Sequence, residues 1–92
     1  MMTLSVYKFQ IYLQDAFVLN LPKGAKILKV ALQRDIACLW ALVDPLAPLE
    51  PRTFRMAGTG HPITEAVESL NYIDSFMMQN GALVFHVFEV KE

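Results

Sequence analysis

The sequence predicts an α+β fold: a twisted antiparallel sheet or small barrel of about six to seven strands, with one short helix. Three observations lead to this prediction. Apolar and polar residues alternate with period two along most of the chain, as in half-buried strands. Turn-forming residues separate these segments at short intervals. Near residue 65 the apolar spacing changes to three and four, which is typical of a helix.

Length and composition bound the class of protein. Ninety-two residues allow one domain, residues 1–92. The hydrophobic fraction is 54% and the charged fraction 18%, so we expect a soluble homo-oligomer that buries its apolar surplus between subunits. The longest apolar run, Ile36–Val43, is too short to span a membrane, and the start resembles no secretory signal. One cysteine fits a reducing cytoplasm.

The charges argue against binding to a nucleic acid polymer. Eight basic and nine acidic residues give a formal net charge of −1, whereas a broad nucleic-acid footprint needs a basic excess. Lys23, Lys26 and Lys29 follow at a spacing of three, so along a regular strand they alternate faces and form no stripe.

The first half of the chain predicts four strands. Alternation marks the first over Tyr7–Leu13, the second over Phe17–Leu21 and the third over Ala25–Leu32. A hairpin turn at Gln33–Asp35 leads to the fourth, Ile36–Val43, which is apolar on both faces and is therefore predicted to be an interior strand.

The middle of the chain predicts a loop, a strand and the helix. Three prolines indicate a loop over Asp44–Pro51, and Arg52–Ala57 follows as the fifth strand. Thr64 is then expected to cap the helix, with acids in its first turn. The residues that recur at helical spacing are Ala66, Val67, Leu70 and Ile73.

The last hairpin is the clearest in the sequence. Asn80-Gly81 separates Phe76–Gln79 from Ala82–Val90, and such a pair favours a tight turn. The final strand is apolar on both faces apart from His86 and Glu89, so we expect it to be central in its sheet.

Five segments together resemble an uncharacterised family of small proteins carried by tailed phages and prophages, a domain of unknown function. The segments are Leu21–Ile27, Cys38–Asp44, Arg52–Arg55, Gly58–Ile63 and Gly81–His86. The resemblance covers roughly Leu21 to Val90. The family pattern has an Asn-Gly type turn where this chain has Gln33-Arg34-Asp35. The resemblance implies a phage origin and a place in the host cytoplasm, and it supplies no activity.

The stretch from Arg52 to Ile63 is the candidate ligand site. Gly58-Thr59-Gly60 can present backbone N–H groups to an anion just before the predicted helix. Arginine forks suit phosphate or carboxylate, a histidine can donate to phosphate or ribose, and an indole can stack on a base. The predicted ligand-binding residues are Arg52, Arg55, Gly58, Thr59, Gly60, His61 and Trp40. The alternative is a simple turn with both arginines solvated.

No pattern in the sequence indicates catalysis, a metal or a cofactor. Two histidines and Cys38 lack metal-ligand spacing, and no nucleophile–base pair or carboxylate dyad is visible. We expect Cys38 to be an inert buried thiol and His86 an interior or interface residue. The preferred function is non-enzymatic sequestration of a small anionic, nucleotide-derived host defence signal. The alternative is a phage protein–protein inhibitor or structural accessory protein acting through an apolar surface.

Overall fold

The computed structural model describes residues 3–91 and shows a nearly all-β protein with seven strands. The first sheet has three antiparallel strands in the order β1-β4-β3, and the second has four in the order β2-β5-β7-β6. No ladder joins the two sheets within the described residues, so they do not close into a barrel. The strands are β1 (Ser5–Gln10), β2 (Ala16–Pro22), β3 (Lys26–Gln33), β4 (Ile36–Val43), β5 (Leu49–Gly58), β6 (Leu70–Met78) and β7 (Leu83–Val90).

The predicted helix, and with it the α+β class, is wrong. A single 3₁₀ turn covers Val67–Ser69, and β6 begins at the next residue. The misleading spacing has a physical cause. The register of β6 against β7 shifts between Tyr72 and Asp74, which makes Ile73 a bulge residue. An inserted residue interrupts the period of two, so Leu70 and Ile73 recur at an apparent helical spacing of three.

The two predicted hairpin pairings and the interior strands are confirmed, but the β6–β7 connection spans residues 79–82 with a 3₁₀ turn over Gln79–Gly81 instead of a two-residue turn. β4 has the predicted bounds and lies between β1 and β3, while β7 lies between β5 and β6. Arg34 and Asp35 have φ of 51° and 64°, which is the left-handed pair that a two-residue type I′ hairpin requires.

Three predicted strands have different bounds in the structure. The strand predicted to begin at Phe76 is β6, which begins at Leu70. The first strand ends at Gln10 instead of Leu13, and β5 begins at Leu49 and contains Pro51. Proline is tolerated there because β7 pairs with β5 only from Phe54 to Gly58. Pro51 therefore lies where one side of β5 is an edge and needs no ladder donor.

The hydrophobic core lies between the facing surfaces of the two sheets. Phe17 stacks on Phe54 across β2 and β5 with ring centres 5.2 Å apart, and Phe76 stacks on Phe85 at 5.6 Å. The largest fully buried side chains are Phe54, Leu21, Leu39, Val30, Val43 and Val87. Burial of these side chains is the main force that holds the sheets together.

Along one side of the molecule, the edge strand β3 of the first sheet lies next to the edge strand β6 of the second. The backbone N–H of buried Val30 in β3 donates to Oδ2 of Asp74 in β6 at 3.1 Å, so a side-chain carboxylate replaces a ladder at this joint. Both strands carry a register shift here, between Ile27 and Lys29 and between Tyr72 and Asp74. The described chain measures 45 × 33 × 16 Å, and each sheet keeps an uncovered outer face.

Within residues 3–91, the structure contains no helix with the length and apolarity needed to cross a membrane.

Candidate functional site

Arg52 is held by groups of the chain itself. Its Nε and Nη2 donate to the two carboxylate oxygens of Glu89 at 2.6 and 2.7 Å, and Nη1 donates to the carbonyl of Ala25 at 2.5 Å. The hydrogen bond with Glu89 raises the pKa of Arg52, burial opposes that change, and the charges of Glu89 and Glu50 add to it. The side chain is 19% exposed, so the predicted solvated alternative does not describe it.

Arg55 is held in the same way on the opposite face of β5. Its Nε lies 3.0 Å from a carboxylate oxygen of Glu65, and Nη1 donates to the carbonyls of Asp15 and Met56. The backbone N–H of Glu65 is the largest cause that lowers the pKa of this carboxyl; burial opposes it, and Arg55 lowers it further. Residues three apart on a regular strand face opposite ways, so the structure does not bring Arg52 and Arg55 together.

The glycine loop forms a turn rather than an open concavity of successive free amides. The His61 N–H donates to the Gly58 carbonyl at 3.0 Å and the Thr59 N–H to the Val84 carbonyl at 3.1 Å. Gly60 has φ of +87°, as the third residue of a type II turn requires. Gly58 is needed for space, because a Cβ there would lie 2.9 Å from Nδ1 of His61. The anion-binding role of this loop stays a prediction.

Trp40 lies apart from the other predicted residues, on the outer face of the three-stranded sheet. It pairs with Lys8 of β1 on one side and with Lys29 of β3 on the other. Directly opposed residues of antiparallel strands share a face, so the three side chains form a row. The Lys29 ammonium lies 5.8 Å from the centre of the indole ring, within the range of a cation–π contact. The indole is half-buried and keeps an accessible part.

A bulge gives this face a second lysine from β3. Lys26 pairs with Leu42 and Lys29 with Trp40, while Leu28 is the extra residue between them. Because Leu42 and Trp40 share a face of β4, Lys26 and Lys29 also share it, and the prediction that these lysines alternate faces is wrong. β1, β3 and β4 contain no aspartate or glutamate.

A concavity of about 450 Å³ continues this face toward the β3–β4 turn. Lys8 and Arg34 supply cationic groups, and the Lys8 Nζ donates to the side-chain oxygen of Gln33 at 2.7 Å. Among the described residues, those that border the concavity include no carboxylate, and Asp35 lines a different depression beside Met77. We call the row and this concavity together the Trp40 face. The residues bordering the concavity are Lys8, Gln10, Gln33, Arg34, Ile36 and Cys38.

Cys38 is buried as predicted, yet it points to the Trp40 face and lies outside the main core cluster. Its Sγ lies 3.5 Å from the carbonyl oxygen of Ile36. No group of three or more histidine, cysteine or carboxylate side chains within residues 3–91 is arranged to hold a metal ion.

Comparison with known proteins gives a family and no activity. No curated protein matches the chain, and no solved structure matches it. A family described as a domain of unknown function, DUF7352, matches residues 2–92. The expectation of a family of unknown function is therefore confirmed, while the phage origin stays a prediction. The chain belongs to the DUF7352 family.

Proposed function

We propose that this protein binds a small anionic ligand of the nucleotide class on the Trp40 face and releases it chemically unchanged. The observation that carries the proposal is the row Lys8–Trp40–Lys29 beside a concavity bordered by cations and amides. Of the residues predicted from the sequence, Trp40 belongs to this site. The arginines of β5 are less suited to it, because an anion there would compete with Glu89 and Glu65.

Each part of a nucleotide has a suitable partner on this face. A base can stack on the indole of Trp40, a contact worth about 1–3 kcal/mol. Phosphate oxygens can accept hydrogen bonds from Lys8 and from the planar fork of Arg34, each worth about 1.5–3 kcal/mol. Lys29 now lies near the indole, and we expect its ammonium to move toward the phosphate when a base stacks.

The size of the face favours a small ligand over a polymer. The concavity of about 450 Å³ falls within the ordinary range of small-molecule sites. Trp40 is the one aromatic side chain among the described residues of the three-stranded sheet's outer face, so the face offers one stacking platform. Sheets that bind single-stranded nucleic acid stack successive bases on several aromatic side chains.

The chain has a built-in probe for this proposal. It contains a single tryptophan, so quenching of intrinsic fluorescence reports on Trp40 alone. We expect ADP or a cyclic dinucleotide to quench this fluorescence, with binding that weakens as salt rises. Lys8→Gln and Arg34→Gln should each weaken binding about tenfold, which is the loss of about 1.4 kcal/mol.

The control removes a charge elsewhere. Lys91→Gln lies on the four-stranded side and should leave binding unchanged. Absence of quenching by every nucleotide tested, or equal weakening by Lys91→Gln and Lys8→Gln, would contradict the proposal. Mass analysis of the recovered nucleotide separates binding from turnover, because an enzyme would change it.

The biological setting extends the proposal and depends on the family resemblance. In a phage protein in the host cytoplasm, such binding would sequester a host defence signal. Recovery of a nucleotide from protein purified from infected cells tests this role.

A second candidate function rests on exposed leucines before and at the start of β5. Leu46 is 94% exposed and Leu49 67%, which favours a contact with a second copy or another protein. Light scattering tests self-association, and a mass near the 10.4 kDa monomer at all concentrations would contradict the predicted homo-oligomer.

A further inference from the structure

His86 lies on the outer face of the four-stranded sheet, with a hydroxyl group at each ring nitrogen. Thr59 Oγ1 is 2.8 Å from Nε2, and the Tyr72 hydroxyl is 3.1 Å from Nδ1. Both distances are those of hydrogen bonds. The three residues come from the turn after β5, from β6 and from β7, so the β5–β7 and β6–β7 registers bring them together.

One of the two neutral tautomers of His86 is suited to accept a proton from Thr59. A hydroxyl can donate or accept, so either neutral tautomer of the imidazole is satisfied here. When the proton is on Nδ1, Nδ1–H donates to the Tyr72 oxygen and the Thr59 O–H donates to Nε2. Thr59 then has a base within hydrogen-bond reach, and Tyr72 orients that base. A nucleophile beside a base that a third group orients is the recurring arrangement of nucleophilic sites.

The turn presents Thr59 to solvent. Its N–H donates to the Val84 carbonyl at 3.1 Å, which fixes its backbone against β7, while the residue itself is exposed. Gly60 follows, and apart from Gly60 and its two chain neighbours no described residue has an atom within 4 Å of the place a Cβ would occupy, so a reagent can approach from that side.

We propose that Thr59 is a nucleophilic residue, activated by His86, that accepts an acyl group from an activated ester or thioester. Oγ1 forms a bond to the acyl carbon, and the bond from that carbon to the leaving oxygen or sulfur breaks. The Thr59 proton moves to Nε2, and the imidazolium returns it to the leaving group. The products are an ester at Thr59 and a neutral alcohol, phenol or thiol. Tyr72 is a positioning residue, and the site is independent of the Trp40 face.

Acetylation by p-nitrophenyl acetate tests this proposal, with peptide mass mapping as the measurement. We expect acetyl-Thr59 in the wild type and in Thr59→Ser, none at this position in Thr59→Val, and at least tenfold slower acetylation in His86→Gln. Thr64 is the internal control, because it is also exposed, whereas the threonine bonded to the His86 ring is Thr59. Equal acetylation of Thr64 and Thr59, or an unchanged rate in His86→Gln, would overturn the proposal.

Tyr72→Phe tests the positioning role separately. We expect a severalfold slower acetylation of Thr59 and a change in the ¹⁵N chemical shifts of the His86 ring that marks a different tautomer ratio. A residue with a merely structural role would leave the ring shifts unchanged, and that result would remove Tyr72 from the proposal. If His86→Gln fails to fold, the Thr59→Ser, Thr59→Val and Tyr72→Phe comparison still decides the outcome.

Discussion

The two sheets use their cations differently. The three-stranded sheet exposes Lys8, Lys26 and Lys29 on one face with no carboxylate in its strands. In the four-stranded sheet, Arg52 and Arg55 are each bonded to a carboxylate of the same chain. The strands of the three-stranded sheet carry three basic and no acidic residues, whereas those of the four-stranded sheet carry two basic and three acidic residues. Although the formal net charge of the chain is −1, the three-stranded sheet is basic and the four-stranded sheet is acidic.

The difference separates two uses of charge. A cation bonded to a carboxylate and a carbonyl contributes to the folded state, while an uncompensated cation contributes to binding an anion. Removal of a paired cation should therefore lower stability, and removal of an unpaired one should lower affinity.

The largest expected loss of stability comes from a substitution at the contact between β3 and β6. Asp74→Ala removes the carboxylate that accepts the Val30 and Ser75 N–H groups, and it leaves a buried donor unsatisfied. We expect a loss of about 2–3 kcal/mol in the free energy of unfolding, measured with urea. Asp74→Asn is the matched control, since it keeps one acceptor oxygen and should lose about half as much. Equal stability of both variants and the wild type would show that core packing alone holds the sheets together.

Removal of one cation from each sheet tests the comparison directly. Arg52→Met should cost about 1–2 kcal/mol, because Glu89 and the Ala25 carbonyl lose a charged partner in a partly buried place. Lys29→Gln makes the same charge change on the Trp40 face and should cost less than about 0.5 kcal/mol. Urea unfolding of both variants gives the two numbers. Similar losses would mean that the two sheets do not differ in this respect.

Substitutions of the glycines in the turn after β5 should cause a smaller loss of stability. Gly60→Ala places a side chain at φ of +87°, which costs about 1 kcal/mol. Gly58→Ala acts by collision with the His61 ring, and this exposed ring can move, so its cost should be lower. The double variant Gly58→Ala/His61→Ala should recover the loss of Gly58→Ala. Thermal unfolding measures all three, and a failure to recover would show that Gly58 is needed for its backbone.

The smallest expected effect is a change in the stability of the folded state at low pH. The pKa of Glu65 is lowered in the folded state. Its contribution to the free energy of unfolding is therefore complete above the ordinary glutamate pKa. That contribution is lost as the pH falls through the lowered value. In Arg55→Gln the pKa should rise without reaching its ordinary value, since the Glu65 backbone N–H remains. A carboxyl ¹³C titration measures the change, and an unaltered midpoint would show that Arg55 does not influence this carboxylate.

The sequence predicts local structure well and is misled by bulges. Period two and turn residues identified β4, the tight β3–β4 hairpin, the pairing of β6 with β7 and the central place of β7. The tight turn predicted at Asn80-Gly81 is instead a loop over residues 79–82. The false helix and the missed lysine stripe have one cause, because an extra residue at Ile73 or Leu28 turns a spacing of two into three. Nothing in the local sequence distinguishes such a bulge from a helical turn.

The contacts of the candidate sites were beyond sequence reasoning for a different reason. Arg52 and Glu89 are 37 residues apart, and Thr59 and His86 are 27 apart. Each pair depends on the β5–β7 register, which alternation alone does not determine. The sequence predicted Trp40 as a stacking residue, and that role stays a prediction; its neighbour Lys8 comes from a strand whose partner could not be predicted.

The joint between β3 and β6 also has a kinetic consequence. Each of these strands belongs to a hairpin formed by chain neighbours, β3–β4 and β6–β7, and such hairpins form within about 1–10 μs. The pairings of β1 with β4 and of β2 with β5 join distant parts of the chain and close more slowly. We therefore expect the two hairpins to dock first through Asp74 and Val30, so that this contact is already present in the folding transition state. Asp74→Ala would then slow folding more than it speeds unfolding.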